Sequence, residues 1–280
     1  VILVGQSSNG SARWLKIGPI QLQPSEIAKI AVILFMAVLL SKIPKQVKDL
    51  KSIIKILLFV IPMVGVIAVS NLSTAIIVAG IAVIMIFVVS PKYKEFIMLG
   101  GVAVVLMVVG INMAGYRAER IKAWLHPEDF PDKAYQTLQG LYAIGSGGLF
   151  GKGLGASVQK LGYVPEAQND FIFTIICEEL GLFGAICVML LFVLLLWRCM
   201  VIANNAPDLF SALVVVGVMG HIALQVVLNI MVVTNWMPNT GIILPFISYG
   251  GTSIAILLTE MGLVLNVSRH IKFDASHPVE

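Results

Sequence analysis

An aspartate stands at the mouth of an apolar helix in Tyr163-Val-Pro-Glu-Ala-Gln-Asn-Asp-Phe-Ile-Phe173. Glu166 lies just before Asp170, and Glu178 and Glu179 follow about two helical turns further in. A helix N-terminus favours a carboxylate, so Asp170 could simply cap. Several acids on so short a stretch also suit a general base, a metal site or the handling of cations. Three other places put polar groups into apolar surroundings, where ionisable residues are costly and tend to face an interior or a wet cavity. In Gln23-Pro-Ser-Glu-Ile-Ala-Lys29, Pro24 fits a first helical turn, and Glu26 and Lys29 share a face. That pair could orient the helix or contact a substrate directly. His221, Gln225 and Asn229 recur every four residues as one polar stripe, suited to interhelical hydrogen bonds or to the wall of a cavity. The run from Asn239 to Ser253 mixes proline, paired glycines and hydroxyls into an apolar segment, with Glu260 beyond it. Irregular backbone at membrane depth survives only inside protein or along a cavity.

Three of these elements lie at the outer ends of helices, the stripe from His221 to Asn229 continues inward from that side, and the candidate cations Arg13, Lys16, Arg117, Arg120, Lys122, Lys152 and Lys160 join them. A cleft holding a carboxylate and several cations suits an anionic, lipid-linked substrate. The glycine run from Gly145 to Gly155 is a poor phosphate loop, because Gly153 follows Lys152 where Ser or Thr is required. It reads better as a turn that permits close backbone approach.

The elements that must position these residues are membrane helices. Of 280 residues 58% are hydrophobic and 12% charged, half of the roughly 25% charged in a soluble domain. Mean hydropathy is +0.95, which excludes a soluble enzyme, a disordered chain and a collagen-like fibre. The net charge of +4 fits loops meeting anionic lipid, and the interleaved basic and aromatic clusters of a nucleic-acid binder are absent. Cys177, Cys187 and Cys199 share one apolar stretch and read as buried hydrophobes.

A helix needs about 20 apolar residues to cross the hydrocarbon. Seven stretches qualify, near 26–42, 53–70, 72–90, 95–114, 171–199, 209–233 and 242–268. The expected fold is an all-α polytopic helical bundle, one membrane domain over 1–280, with a large extracytoplasmic loop at 115–170. Lysines 42, 45, 48, 51 and 55, then Lys92 and Lys94, Arg198, Arg269 and Lys272 fall on one side if the helices alternate. The opposite short connections carry no basic residue, so the loop and the 234–247 turn lie outside and the C-terminus is cytoplasmic. The chain opens at Val1 within what reads as the end of an apolar segment, as an N-terminally truncated fragment would.

The same stretches carry a family resemblance. Asn9-Gly-Ser-Ala-Arg-Trp-Leu-Lys-Ile-Gly18, Gln23 to Lys29, Tyr142-Ala-Ile-Gly-Ser-Gly-Gly-Leu-Phe-Gly151, Val164-Pro-Glu through Phe173, Glu178-Glu-Leu-Gly181 and Leu244-Pro-Phe-Ile-Ser-Tyr-Gly-Gly251 stand in family order. The chain resembles the FtsW/RodA/SpoVE (SEDS) family of bacterial cell-wall proteins, in wording nearest its division and sporulation branches. The resemblance implies ten helices with both ends cytoplasmic, of which this chain would lack the first two and most of the third. It implies an inverting glycosyltransferase that polymerises lipid II at the outer face of the cytoplasmic membrane, beside a class B penicillin-binding protein as transpeptidase. The family's essential aspartate falls on Asp170, its Glu–Lys pair on Glu26 and Lys29, its Arg-Trp pair on Arg13 and Trp14, and its external arginines on Arg117 and Arg120. Asp170 would act as general base, while Arg13, Arg117, Arg120 and Lys160 would steady the departing pyrophosphate. Ser248 and Gly250 would floor the cleft. The resemblance fixes no cofactor and requires no nucleotide, and a divalent cation, Mg or Mn, is a candidate aid to the leaving group. The family's His-Thr before the aspartate is Gln168-Asn169 here, and its Gln-Pro-Asp reads Val69-Ser70-Asn71. A lipid II flippase is the rival expectation, since interrupted helices also typify transporters.

Overall fold

The structure is a computed structural model. It describes residues 6–8, 11–17, 20–42, 50–90, 94, 96, 100–101, 121–127 and 129–271, and side chains from residue 23 onward within that set, those of Leu50, Ser70 and Lys133 excepted. The described residues form two compact units, one of Val1–Pro91, Leu194–Ile222 and Gly251–Glu280, the other of Lys92–Val193 and Ala223–Gly250.

The first unit begins with an antiparallel meander, β1 (Gln6–Ser8), β2 (Ser11–Ile17) and β3 (Ile20–Leu22), in the order β1-β2-β3. Reading the chain for apolar spans does not reveal these strands, because each is shorter than a span and mixed in polarity. Helix α1 (Pro24–Lys42) starts on its proline, places Glu26 in its first turn and ends on Lys42, as the helix dipole favours. Its stripe of Val32, Ile33, Met36, Ala37 and Leu40 is at most 2% exposed. Helix α2 (Leu50–Ser70) is followed at once by α3 (Leu72–Val89). Asn71 caps α3 by accepting from the Thr74 N–H at 3.2 Å. Helix α3 packs against both α1 and α2.

In the second unit α4 (Pro131–Gly147) occupies the middle of the expected external loop. A short 3-10 turn (Gln159–Leu161) follows, then α5 (Ile172–Asn204) and α6 (Leu209–Val233). The sequence expectation of a helix over 209–233 coincides with α6. Both α5 and α6 continue into the first unit, which also contains α7 (Gly251–Arg269). The expected seventh span, 242–268, is helical only from Gly251. Pro245, Phe246 with φ of 64° and the Gly250-Gly251 pair hold 242–250 in irregular backbone. Six of the described helices are long and apolar enough to cross a membrane. The expected span at 95–114 lies almost wholly outside the described residues.

Candidate functional site

Residues 163–171 reach α5 as a series of turns, and their position is set by groups from three other segments. Asn229 on α6 donates its side-chain Nδ2–H groups to the carbonyls of Asp170 and Ile242, both at 2.7 Å. The Ser248 hydroxyl donates to the Asn169 carbonyl at 2.6 Å and accepts from the Leu244 N–H at 2.8 Å. Tyr249 N–H donates to the Gln168 carbonyl at 2.8 Å. The irregular stretch after α6 is thereby stitched to the three residues that end in Asp170. From α4, Gln136 donates to the Pro165 carbonyl at 2.9 Å and accepts from Asn239 at 2.7 Å. Gly140 lets the buried Phe171 ring lie directly on α4, since a Cβ there would come within 2.8 Å of the ring.

Asp170 is therefore fixed through its backbone, and its side chain is left available. Its Oδ1 is buried without a hydrogen-bond partner. A methyl group on Gly241 would sit 3.8 Å from its Oδ2. Burial pushes the carboxyl up to about 6, its own backbone N–H opposes that rise, and the nearby Glu166 adds to it. Glu166, at φ 53°, accepts from the Asn169 side chain. A half-buried carboxylate with a free oxygen and a raised pKa can take a proton near neutral pH.

Glu178 and Glu179 have a different use. Helix α5 breaks at Gly181, whose φ of 67° and ψ of −167° suit only glycine. The break frees backbone groups, and the glycine run takes them up. Lys152 and Gly153 N–H donate to the carbonyls of Glu178 and Glu179 at 2.9 Å, while Leu182 and Phe183 N–H donate to the carbonyls of Gly148 and Leu149 at 2.9 and 3.1 Å. Gly151 and Gly181 meet backbone to backbone, and a Cβ on either would collide. The close approach expected of the glycine run is thus realised. Glu178 accepts from Lys152 Nζ at 2.7 Å and Ser157 Oγ at 2.5 Å, and Glu179 from Lys160 Nζ at 2.6 Å and Gly155 N–H at 2.9 Å. These contacts join residues 19 to 26 positions apart, a distance at which sequence spacing gives no pairing signal.

The expected site residues divide as follows. Ser248 reaches the Asp170 segment, with its hydroxyl engaged by backbone. Gly250 directly precedes α7. Lys160 is held by Glu179 and by the Gly155 carbonyl at 2.8 Å. Glu26 and Lys29 form the anticipated ion pair, 2.8 Å apart and almost fully buried, in the first unit. Arg13 lies in β2, and its side chain is outside the described ones, as Arg117 and Arg120 are altogether. The polar stripe of α6 makes interhelical bonds through His221, whose Nδ1 lies 2.7 Å from Glu260 Oε2 on α7, both fully buried. Among the described residues no three His, Cys, Asp or Glu side chains converge to hold a metal ion.

The family model of the FtsW/RodA/SpoVE cell cycle proteins matches residues 1–273. The stage V sporulation protein E of Bacillus subtilis is 42% identical over 96% of this chain and 75% of its own length. A probable peptidoglycan glycosyltransferase FtsW of Coxiella burnetii is 38% identical over 95% of this chain and 73% of that protein. Among solved structures, a chain from a study of how a peptidoglycan synthase complex coordinates polymerization and crosslinking aligns with a TM-score of 0.76. It is 28% identical and covers 98% of this chain and 78% of that one. The rod shape determining protein RodA of Thermus thermophilus aligns at 0.67, with 29% identity over 98% and 74% of the two chains.

Proposed function

The chain belongs to the FtsW/RodA/SpoVE family, and from that premise we propose that it is a multi-pass peptidoglycan glycosyltransferase that polymerises lipid II in a bacterial cytoplasmic membrane. Asp170 is the general base. It takes the proton of the acceptor GlcNAc 4-hydroxyl while that oxygen bonds to the anomeric carbon of the donor. The bond from that carbon to the lipid pyrophosphate breaks, undecaprenyl pyrophosphate leaves, and an α-linked donor becomes a β-1,4 product with inversion. No nucleotide takes part, because cleavage of the pyrophosphate link drives the transfer. Arg13, Arg117 and Arg120 are assigned to the charge on the leaving group, where preorganised cations lower the barrier. The Glu26–Lys29 pair orients α1 or presents Lys29 to phosphate.

The observation that carries this reading is the state of Asp170, a carboxylate pinned through its backbone with one buried oxygen unpartnered. A base titrating at about 6 is mostly ionised at neutral pH yet basic enough to accept a hydroxyl proton. The one-sided distribution of Lys and Arg in the short connections supports an extracytoplasmic site and a cytoplasmic C-terminus. Similarity to a chain of a synthase complex supports a transpeptidase of the penicillin-binding type as partner.

The test is Asp170→Asn in purified, folded protein supplied with lipid II. Glycan synthesis should fall about 10²–10⁴-fold. Wild-type polymerisation by the variant removes the base assignment. Transbilayer movement of lipid II by the wild type without any polymer favours a flippase instead.

A further inference from the structure

Three consecutive carbonyls lead up to the base, and each accepts a hydrogen bond from outside its own segment. Gln168 O accepts from the Tyr249 N–H at 2.8 Å, Asn169 O from the Ser248 hydroxyl at 2.6 Å, and Asp170 O from Asn229 Nδ2 at 2.7 Å. All of these residues belong to the second unit. The Asp170 carboxylate has no comparable tether. Its Oδ1 is buried without a partner, and the donor acting on the group is the residue's own backbone N–H. Where the carboxylate sits therefore follows from where the backbone of 168–170 is held. Helix α5 takes over only from Ile172.

Two of the three tethers are side chains, and Asn229 carries the greater share. It stands one turn before the end of α6 and is fully buried. Its second Nδ2 hydrogen goes to the Ile242 carbonyl at 2.7 Å, at the start of the irregular stretch that also supplies Ser248 and Tyr249. One amide thus holds the base residue and one end of 242–250, while Ser248 and Tyr249 near the other end hold the two residues before the base. The choice of residue follows from its donors. A primary amide offers two N–H groups without charge, a hydroxyl offers one, and an ammonium brings a charge that is costly in a membrane helix. The carbonyl that Asn229 grips is bonded to the Cα carrying the carboxylate, so freeing that carbonyl loosens the base directly. A reacting group displaced by about 1 Å can lose on the order of 10²-fold in rate.

We propose that Asn229, assisted by Ser248, is a positioning residue for Asp170, tying the place of the base to the 242–250 stretch. This role rests on the one given to Asp170 and names the groups on which that base depends. Neither side chain meets substrate. Both Nδ2 hydrogens of Asn229 are spent on carbonyls, and the Ser248 hydroxyl, on a residue 2% exposed, donates to Asn169 and accepts from the Leu244 N–H at 2.8 Å. Losing either tether should slow the chemical step and leave lipid II binding unchanged.

The experiment measures lipid II polymerisation by the full chain in detergent, between about pH 5 and 8, for the wild type, Asn229→Leu, Ser248→Ala and Asp170→Asn. Rates are taken per folded protein, as gel filtration and thermal unfolding define it. Asn229→Leu keeps the bulk and removes both donors. Its kcat should fall about 10- to 100-fold with KM unchanged. The pH midpoint of the rate should also drop from about 6 towards the ordinary carboxylate range, because a loosened carboxyl regains water. A variant that only loses folded protein would keep both its kcat per folded chain and its midpoint. Ser248→Ala should show a smaller fall in the same direction, and it decides the matter should Asn229→Leu not fold. Wild-type kcat and midpoint in the folded variants, or a raised KM at constant kcat, overturns the positioning role while Asp170→Asn remains impaired. Wild-type activity in Asp170→Asn removes the base itself, and the positioning role with it.

Discussion

Asp170 and Glu178 are carboxylates eight positions apart at the start of the same helix, and their surroundings are opposite. Glu178 is fully buried and saturated, with Lys152, Ser157 and backbone N–H groups around it. Asp170 is held by contacts to its carbonyl, and one carboxylate oxygen has no partner. An acid surrounded by donors closes a loop, whereas an acid anchored only through its backbone keeps its lone pairs for a substrate. The difference lies in what the neighbours bind, since the side-chain chemistry is nearly the same.

Exchanging each acid for an uncharged residue separates the two roles most widely. Asp170→Asn should remove about 10²–10⁴-fold of polymerase activity and leave the fold intact. The sign for stability follows from the raised carboxyl. Its folded-state value of about 6 exceeds the ordinary 3.8, so the folded protein holds this proton more tightly, and that contribution is lost as pH rises through 6. At pH 7 the ionised side chain weighs against folding, so Asp170→Asn should melt no lower than the wild type. Glu178→Ala should do the reverse. It strands Ser157 and several N–H groups, a loss of about 1–3 kcal/mol in thermal or denaturant unfolding. Activity should fall only as far as the loop loosens. Equal loss of activity with no change in stability would erase the contrast.

Breaking the scaffold instead of the acids comes next in size. Gly181→Ala puts a side chain into a φ/ψ region costing about 1–3 kcal/mol, before counting its collision with Gly151 and Leu149. Unfolding measurements should show at least that loss. A neutral result would mean that α5 does not need its break.

Much of this arrangement could be read from residues alone, and the remainder has a physical reason for being hidden. The mostly apolar run of 209–233, crossed by the polar stripe of His221, Gln225 and Asn229, is helical end to end. Glu26 and Lys29 pair because three positions on a helix bring them together, which spacing does disclose. The apolar run through Gly181 reads as one helix, because hydropathy is blind to a backbone break that another segment repairs. The partners of Glu179 and Glu178 come from 19 and 26 positions away, and only the fold brings them near. Ser248 is legible as a polar intruder in an apolar run. That its hydroxyl ties Leu244 to Asn169 depends on a turn no periodicity describes.

A smaller effect, about tenfold per pH unit, sharpens the Asp170 side of the contrast. If the base titrates at about 6, wild-type polymerisation should be level above that pH and decline below it as the carboxylate takes up a proton. Glu166→Gln removes a charge that adds to the rise and should shift the midpoint downward. Rates followed between pH 5 and 8 on both proteins would show it. A profile flat through 6 would detach the rate from this carboxyl.

The smallest expected effect falls on Lys160, where loop support and substrate binding make different forecasts. Its ammonium is bound to Glu179 at 2.6 Å and to the Gly155 carbonyl at 2.8 Å, with about a third of the side chain exposed. An ion pair this open contributes about 0–1 kcal/mol. If Lys160 serves the loop alone, Lys160→Met should shift melting slightly, and more at low salt than at high, with KM for lipid II unchanged. Glu179→Gln should then give the same small shift, and the double variant no further loss. If the ammonium leaves Glu179 to meet pyrophosphate, Lys160→Met raises KM while Glu179→Gln lowers it, because the lysine is released from its competitor. The KM values of the two single variants therefore separate a cation that holds the wall of the site from one that holds the substrate.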